Sequence, residues 1–129
     1  MARKRKGAAL QAGSAAQVAE ERAKICARIA DEKKAEDIVI LDLRSCNYVT
    51  DFFVIATGRN ERQRTAIAAE VIRQMAQVGE QPLGATGERA SQWILLDYVD
   101  FVIHIFSPEA RALYDLELLW GDAPRLGWR

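Results

Sequence analysis

The chain has 129 residues, 50% of them apolar and 28% charged, with 18 Lys and Arg balanced by 18 Asp and Glu. That length and apolar share exclude a wholly disordered chain and suffice for one domain with its own core. A membrane span is excluded as well, because Asp97, Asp100 and His104 interrupt the longest apolar runs well short of the roughly 20 residues a bilayer requires.

The zero net charge hides an asymmetry. Arg3, Lys4, Arg5 and Lys6 stand in a segment without acids, so residues 17–129 carry 14 bases against 18 acids. The continuation GAALQAGSAAQ lacks the apolar core of roughly 7 to 15 residues that a secretory signal needs. Residues 1–16 are therefore expected to be a disordered basic tail, which either solubilises the chain or holds phosphates weakly. Residues 17–129 are expected to form one domain.

From about Ala15 the pattern turns helical, with Val18, Ile25, Cys26 and Ile29 near helical spacing. Ile38–Leu43 and Phe52–Thr57 are short apolar runs rich in β-branched and aromatic residues, as in strands buried on both faces. Asn60 offers an N-cap with Gln63 three residues on, and Ile67, Val71, Met75 and Val78 follow on one face until Gly79. Pro82–Gly87 reads as a short strand. Trp93–Tyr98 and Phe101–Phe106 read as a hairpin turning at Val99 and Asp100. Ser107 and Pro108 then open a helix expected to run through Trp120 and stop at Gly121. The order α-β-β-α-β-β-β-α predicts an α/β (α+β) fold with a single mixed, mostly five-stranded sheet flanked by helices.

Three stretches carry a resemblance. VTDFFVIATGRNERQ at 49–63, WILLDYVDFVIHIF at 93–106 and LYDLELLWGDAPR at 113–125 closely resemble the ribosomal silencing factor family, also called Iojap-related. The likeness runs from about Ile25 to Arg125 and makes residues 17–129 a ribosomal silencing factor domain. It implies a nucleotidyltransferase-like fold without enzymatic activity or cofactor. It also implies binding to the large ribosomal subunit through ribosomal protein fourteen, a block on joining with the small subunit, repression of translation, and a homodimer in the free state. One departure is visible: the family most often has Gly where this chain has Val99, so a positive φ there would strain the hairpin.

Two other readings remain open on the residues themselves. A nucleotide-handling enzyme needs carboxylates converging on a metal, and neither the spacing of Asp97 and Asp100 nor the isolated Asp42 and Asp51 supplies an acid-x-acid pair on a strand. An RNA-binding module would act through the basic tail. His104, the only histidine, reads as a hydrogen-bonded structural residue, and without a second one there is no metal cluster. Cys26 and Cys46 are too far apart for a CxxC pair and fit a reduced cytoplasm, with Cys46 expected to be inert.

Apolar and aromatic residues are the richer signal. Eight of the twelve residues from Glu109 to Trp120 are apolar, more than one helical stripe can bury. Leu116, Leu119 and Trp120 are thus candidates for self-association, with Trp120 as a core plug the alternative. In the hairpin, Trp93, Leu95 and Asp97 share one side and Ile94, Leu96 and Tyr98 the other. By the resemblance, the ribosomal contact is expected on this hairpin, through Trp93, Leu95, Tyr98 and Asp100. The acids Glu88 and Asp97 complete a surface suited to a basic partner. Asp51, Gly58 and Arg62 are read as fold and turn determinants.

Overall fold

The computed structural model describes residues 9–46, 48–86 and 92–129. Helix α1 spans Ala9–Glu32. It starts well before Ala15, because the alanine-rich stretch ahead of the amphipathic pattern has high helix propensity but no apolar period to reveal it. Residues 9–16 of the expected tail thus belong to α1, while Arg3 to Lys6 lie outside the described residues. The helix ends where Lys34 takes φ 70 and the Ala35 N–H reaches back to the Ala30 carbonyl at 2.9 Å.

Strands β1 (Glu36–Asp42) and β2 (Phe52–Thr57) form an antiparallel pair, with an irregularity between Glu36 and Val39 where Asp37 takes φ 52. Helix α2 (Glu61–Gln77) follows. Asn60 caps it by accepting the Gln63 N–H at 2.8 Å, and Gly79 beyond its end has φ 83. Strands β3 (Gly84–Thr86), β4 (Trp93–Asp97) and β5 (Phe101–Phe106) come next, followed by helices α3 (Pro108–Tyr114) and α4 (Leu116–Leu119) and a short strand β6 (Arg125–Leu126).

The sheet is mixed, in the order β3-β4-β5-β2-β1-β6. β2 and β5 lie parallel at its centre, and every other pairing is antiparallel. It has six strands because Arg125 and Leu126 pair with Leu41 and Ile40, and the Pro124 carbonyl accepts the Asp42 N–H at 2.8 Å. Two residues are too short a signal for a strand at the sequence level, which explains the expected count of five.

Helices α1 and α2 cover one face. Ala19, Ala23, Ala27 and Ala30 present small side chains that let α1 approach the sheet closely, over Ile40, Phe52, Val54, Phe101, Ile103 and Ile105. On α2, Ile67, Val71 and Met75 are fully buried against the same layer. The opposite face buries Leu41, Leu43, Phe53, Ile55, Val102 and Phe106 under the short C-terminal helices.

The single long helix expected from Pro108 to Trp120 is interrupted. Asp115 adopts the left-handed conformation at φ 46, donates its N–H to the Arg111 carbonyl and accepts the Leu118 N–H on its carboxylate. It therefore closes α3 and caps α4. An Asp tolerates this conformation better than most side chains, and the apolar period of the segment does not register such a break.

Candidate partner-binding site

Alternation along β4 sends Trp93, Leu95 and Asp97 to the face covered by α3 and α4, all half-buried, and Ile94, Leu96 and Tyr98 to the helical core. Tyr98 is only 4% exposed, and its ring stacks on Phe101 at 4.9 Å. Its expected role as a surface anchor is corrected by this burial: the same parity that puts Trp93 outward turns Tyr98 inward. Burial pushes the Tyr98 hydroxyl up to about 12, and the hydroxyl has no hydrogen-bond partner.

Around Trp93 the rings form a continuous aromatic floor. Its indole lies 4.6 Å from Tyr114 and 4.9 Å from Phe106, centroid to centroid, and its Nε1–H donates to Nδ1 of His104 at 3.1 Å. His104 meets Phe53 edge-on at 4.4 Å. Phe53 is in turn 6.2 Å from Trp120, and Trp120 is 4.6 Å from Tyr48. Four elements, β4, β5, β2 and α3, and two flanking segments, before β2 and after α4, contribute to this floor. His104 is a structural, hydrogen-bonded residue, and burial holds its pKa down to about 3, so the ring is neutral.

Above and beside the floor, apolar side chains stand in solvent. Leu113 and Leu118 are each 76% exposed, Leu119 is 70% exposed and Tyr114 is 50% exposed. The break at Asp115 produces this arrangement, because a seven-residue and a four-residue helix cannot wrap so many large side chains onto the sheet. Of the self-association candidates, Leu119 projects outward, whereas Leu116 and Trp120 are half-buried against the core beneath them. A cavity of about 490 Å³ opens between Ser45, Cys46 and the turn from Leu118 to Ala123.

The helical pair is anchored by Arg111. Its guanidinium donates to the buried Thr57 hydroxyl at 2.8 Å and to both oxygens of Glu117 at 2.9 and 2.8 Å. Those bonds hold the Glu117 carboxyl below the usual carboxylate range. Thus α3 and α4 are tied to each other and to the end of β2.

The acids of the hairpin serve its turn. Asp97 accepts the Val99 N–H at 2.8 Å, and Asp100 donates its N–H to the Tyr98 carbonyl while its own carbonyl accepts the Asp51 N–H. Both side chains are half-exposed at the end of β4 away from Trp93 and Tyr114. Glu88 lies outside the described residues. Asp51 is buried within this backbone network, and a Cβ on Gly58 would stand 2.5 Å from the Arg64 side chain, so both are fold determinants. Asp42 is held by Arg44 at 2.6 Å. Among the described residues no group of three or more His, Cys, Asp or Glu side chains is placed to hold a metal ion. No helix among them is long and apolar enough to cross a membrane.

Tyr48, Leu113, Tyr114 and Leu118 belong to the exposed apolar face but not to the residues singled out from sequence. An excess of apolar residues in 109–120 was the available signal for the last three. Tyr48, in a loop, had none.

Fold and surface together define a small mixed-sheet α/β domain with one sheet face closed by two long helices and the other only partly covered by short ones that leave apolar side chains exposed. The family model described as "Ribosomal silencing factor during starvation" matches residues 16–128, and the chain belongs to that family. It is 42% identical over 101 residues to the ribosomal silencing factor RsfS of Bacillus subtilis, covering 78% of this chain and 86% of that protein. The chloroplastic protein Iojap of Zea mays is 40% identical over 100 residues, covering 75% of this chain and 42% of the longer plant protein. A crystal structure from Chromobacterium violaceum superposes with a TM-score of 0.75 at 31% identity, over 79% of this chain and 85% of that one. One from Bacillus halodurans gives 0.69 at 34% identity, over 79% and 92%.

Proposed function

We propose that this protein binds the large ribosomal subunit at ribosomal protein fourteen, prevents the small subunit from joining, and so represses translation in the cytoplasm. It acts by occupying a surface, not by catalysis, and needs no cofactor. Membership of the ribosomal silencing factor family supports the ribosomal partner. The observation that carries the choice of surface is the open aromatic face. The half-buried Trp93 and Leu95, with Tyr114 against the indole, lie on the sheet face covered by the short helices that carry the exposed Leu113, Leu118 and Leu119, and exposed apolar side chains of this kind mark protein contacts. The hairpin acids Asp97 and Asp100 lie toward the other end of β4, where they favour approach of a basic partner.

When no subunit is at hand, a second copy of the chain occupies the same leucines in the homodimer this reading proposes. The basic residues Arg3 to Lys6 add a salt-sensitive hold on ribosomal RNA.

Adding the protein to purified large subunits before small subunits tests the reading. Fewer joined ribosomes should appear in a sucrose gradient, with the protein sedimenting alongside the large subunit. Unchanged joining at saturating protein rules the reading out.

A further inference from the structure

The bond between Trp93 and His104 bears on how the open face makes its contact, a role that rests on the large-subunit binding proposed for that face. In the β4–β5 register Leu95 stands opposite His104 and Trp93 opposite Phe106. Trp93 is therefore the diagonal neighbour of His104 on the same face, within reach of a large aromatic ring. Its Nε1–H donates to His104 Nδ1 at 3.1 Å. An imidazole that accepts at Nδ1 and is neutral carries its proton on Nε2. That Nε2–H is buried and has no partner, so the position leaves a polar group unsatisfied where a leucine would leave none. Packing alone gives no reason for a histidine there; the bond to Trp93 does.

The same bond decides what Trp93 can offer a partner. An indole has a single polar hydrogen. With that hydrogen turned inward, and with Phe106 and Tyr114 against the ring, the half-exposed remainder of Trp93 is carbon. We infer that His104 is the positioning residue of the contact face, holding the Trp93 indole in one orientation so that it meets the partner through its π-face and carbon edge. The side chain it receives is then apolar or cationic, since the indole has no hydrogen bond left to give to a carbonyl.

Three variants test this: His104→Leu, which removes the acceptor; His104→Asn, whose amide oxygen takes the place of Nδ1; and His104→Gln, which places its amide near Nε2. Retention by purified large subunits is measured beside the Trp93 indole N–H resonance, assigned by its absence in Trp93→Phe, and the thermal melt. His104→Leu and His104→Gln should remain folded, show an altered, faster-exchanging indole proton and bind about fivefold to tenfold more weakly, the loss expected of one hydrogen bond's worth of ordering. His104→Asn should restore both the protected proton and binding to within about twofold. Folded His104→Leu that binds as tightly as the parent overturns the inference, and so does His104→Asn that binds as weakly as His104→Leu. If His104→Leu does not fold, His104→Gln against His104→Asn decides by the same two criteria. A parent chain that large subunits fail to retain removes the large-subunit reading and this role together, whereas a retained parent beside an equally retained His104→Leu removes this role alone.

Discussion

The two faces of the sheet are built from strands of the same character and differ in what lies over them. β2 and β5 are buried along all six residues of each, so their composition does not distinguish one side from the other. On one side a 24-residue and a 17-residue helix lie across the sheet, and the alanines of α1 bring it close. On the other, helices of seven and four residues leave Trp93 and Leu95 half-covered and three leucines in solvent. Coverage, not strand hydrophobicity, separates core from contact surface here. A doubly apolar strand says that both faces will be covered, but not by what: one cover can be the chain itself and the other a partner.

Breaking the closed face should have the largest effect. Tyr98→Ala removes a ring stacked on Phe101 within the helical core and should destabilise the domain by about 3 kcal/mol, lowering its melting temperature by on the order of 10 °C. Tyr98→Phe is the control: it keeps the ring and removes a buried hydroxyl that has no partner, so the melt should hold or rise. A Tyr98→Ala protein that melts with the parent would falsify the assignment of this side chain to the core.

The open face should respond in the opposite sense. Leu118→Asp together with Leu119→Asp changes two residues already in solvent, so stability should stay within about 0.5 kcal/mol. Retention by large subunits should fall by about 2 kcal/mol of binding, some thirtyfold. If these charges leave binding intact, the contact lies elsewhere and the exposed leucines need another occupant.

How much of this was legible before the structure can be judged at particular residues. The strand parity of the hairpin was legible: Trp93 and Leu95 do share one face and Tyr98 the other. Which of those faces would be closed was not, because it depends on helices that return from distant parts of the chain, and Tyr98, though on the expected side, was consequently expected to be a contact residue when that side is the buried one. Capping residues Asn60 and Ser107 were readable because their side chains act within one turn. The break at Asp115 was not, since it rests on one backbone angle within an unbroken apolar period. The meeting of Tyr48 with Trp120, and the bond between Trp93 and His104, depend on tertiary placement and strand register, which no local spacing encodes.

Acid offers a further separation of the faces, because His104 is a buried titrating group beneath the open one. Burial lowers its pKa to about 3, against about 6.5 in an unfolded chain. Between those values the unfolded state binds the extra proton, so stability is fully present above pH 6.5 and is lost as pH falls. From pH 6.5 to 5 the loss from this residue should be about 2 kcal/mol. Urea midpoints of the parent should therefore drop between pH 7 and pH 5 by more than those of His104→Leu. Equal drops in the two proteins would assign the acid sensitivity to other groups.

The smallest effect concerns the hairpin tip, and it sharpens the comparison by asking whether the tip belongs to either face. Val99 and Asp100 form a two-residue connection, closed by the Tyr98 N–H on the Phe101 carbonyl at 2.9 Å. Val99 has φ 75, and its N–H is held by Asp97 at 2.8 Å. Positive φ at the first of two loop residues is a position where Gly is favoured, and a β-branched side chain there is strained by about 1 to 2 kcal/mol. Val99→Gly relieves that strain but adds backbone freedom to the unfolded chain, an opposing term of about 0.5 to 1 kcal/mol. The balance is a gain of about 1 kcal/mol or less, visible as a raised urea midpoint with an unchanged slope. A lowered midpoint would mean that contacts of the valine side chain outweigh its strain. Retention by large subunits should be unaltered, because Trp93 lies at the opposite end of β4. If Val99→Gly stabilises the domain yet weakens retention, the partner touches the tip as well, and the contact surface extends along the whole of the hairpin.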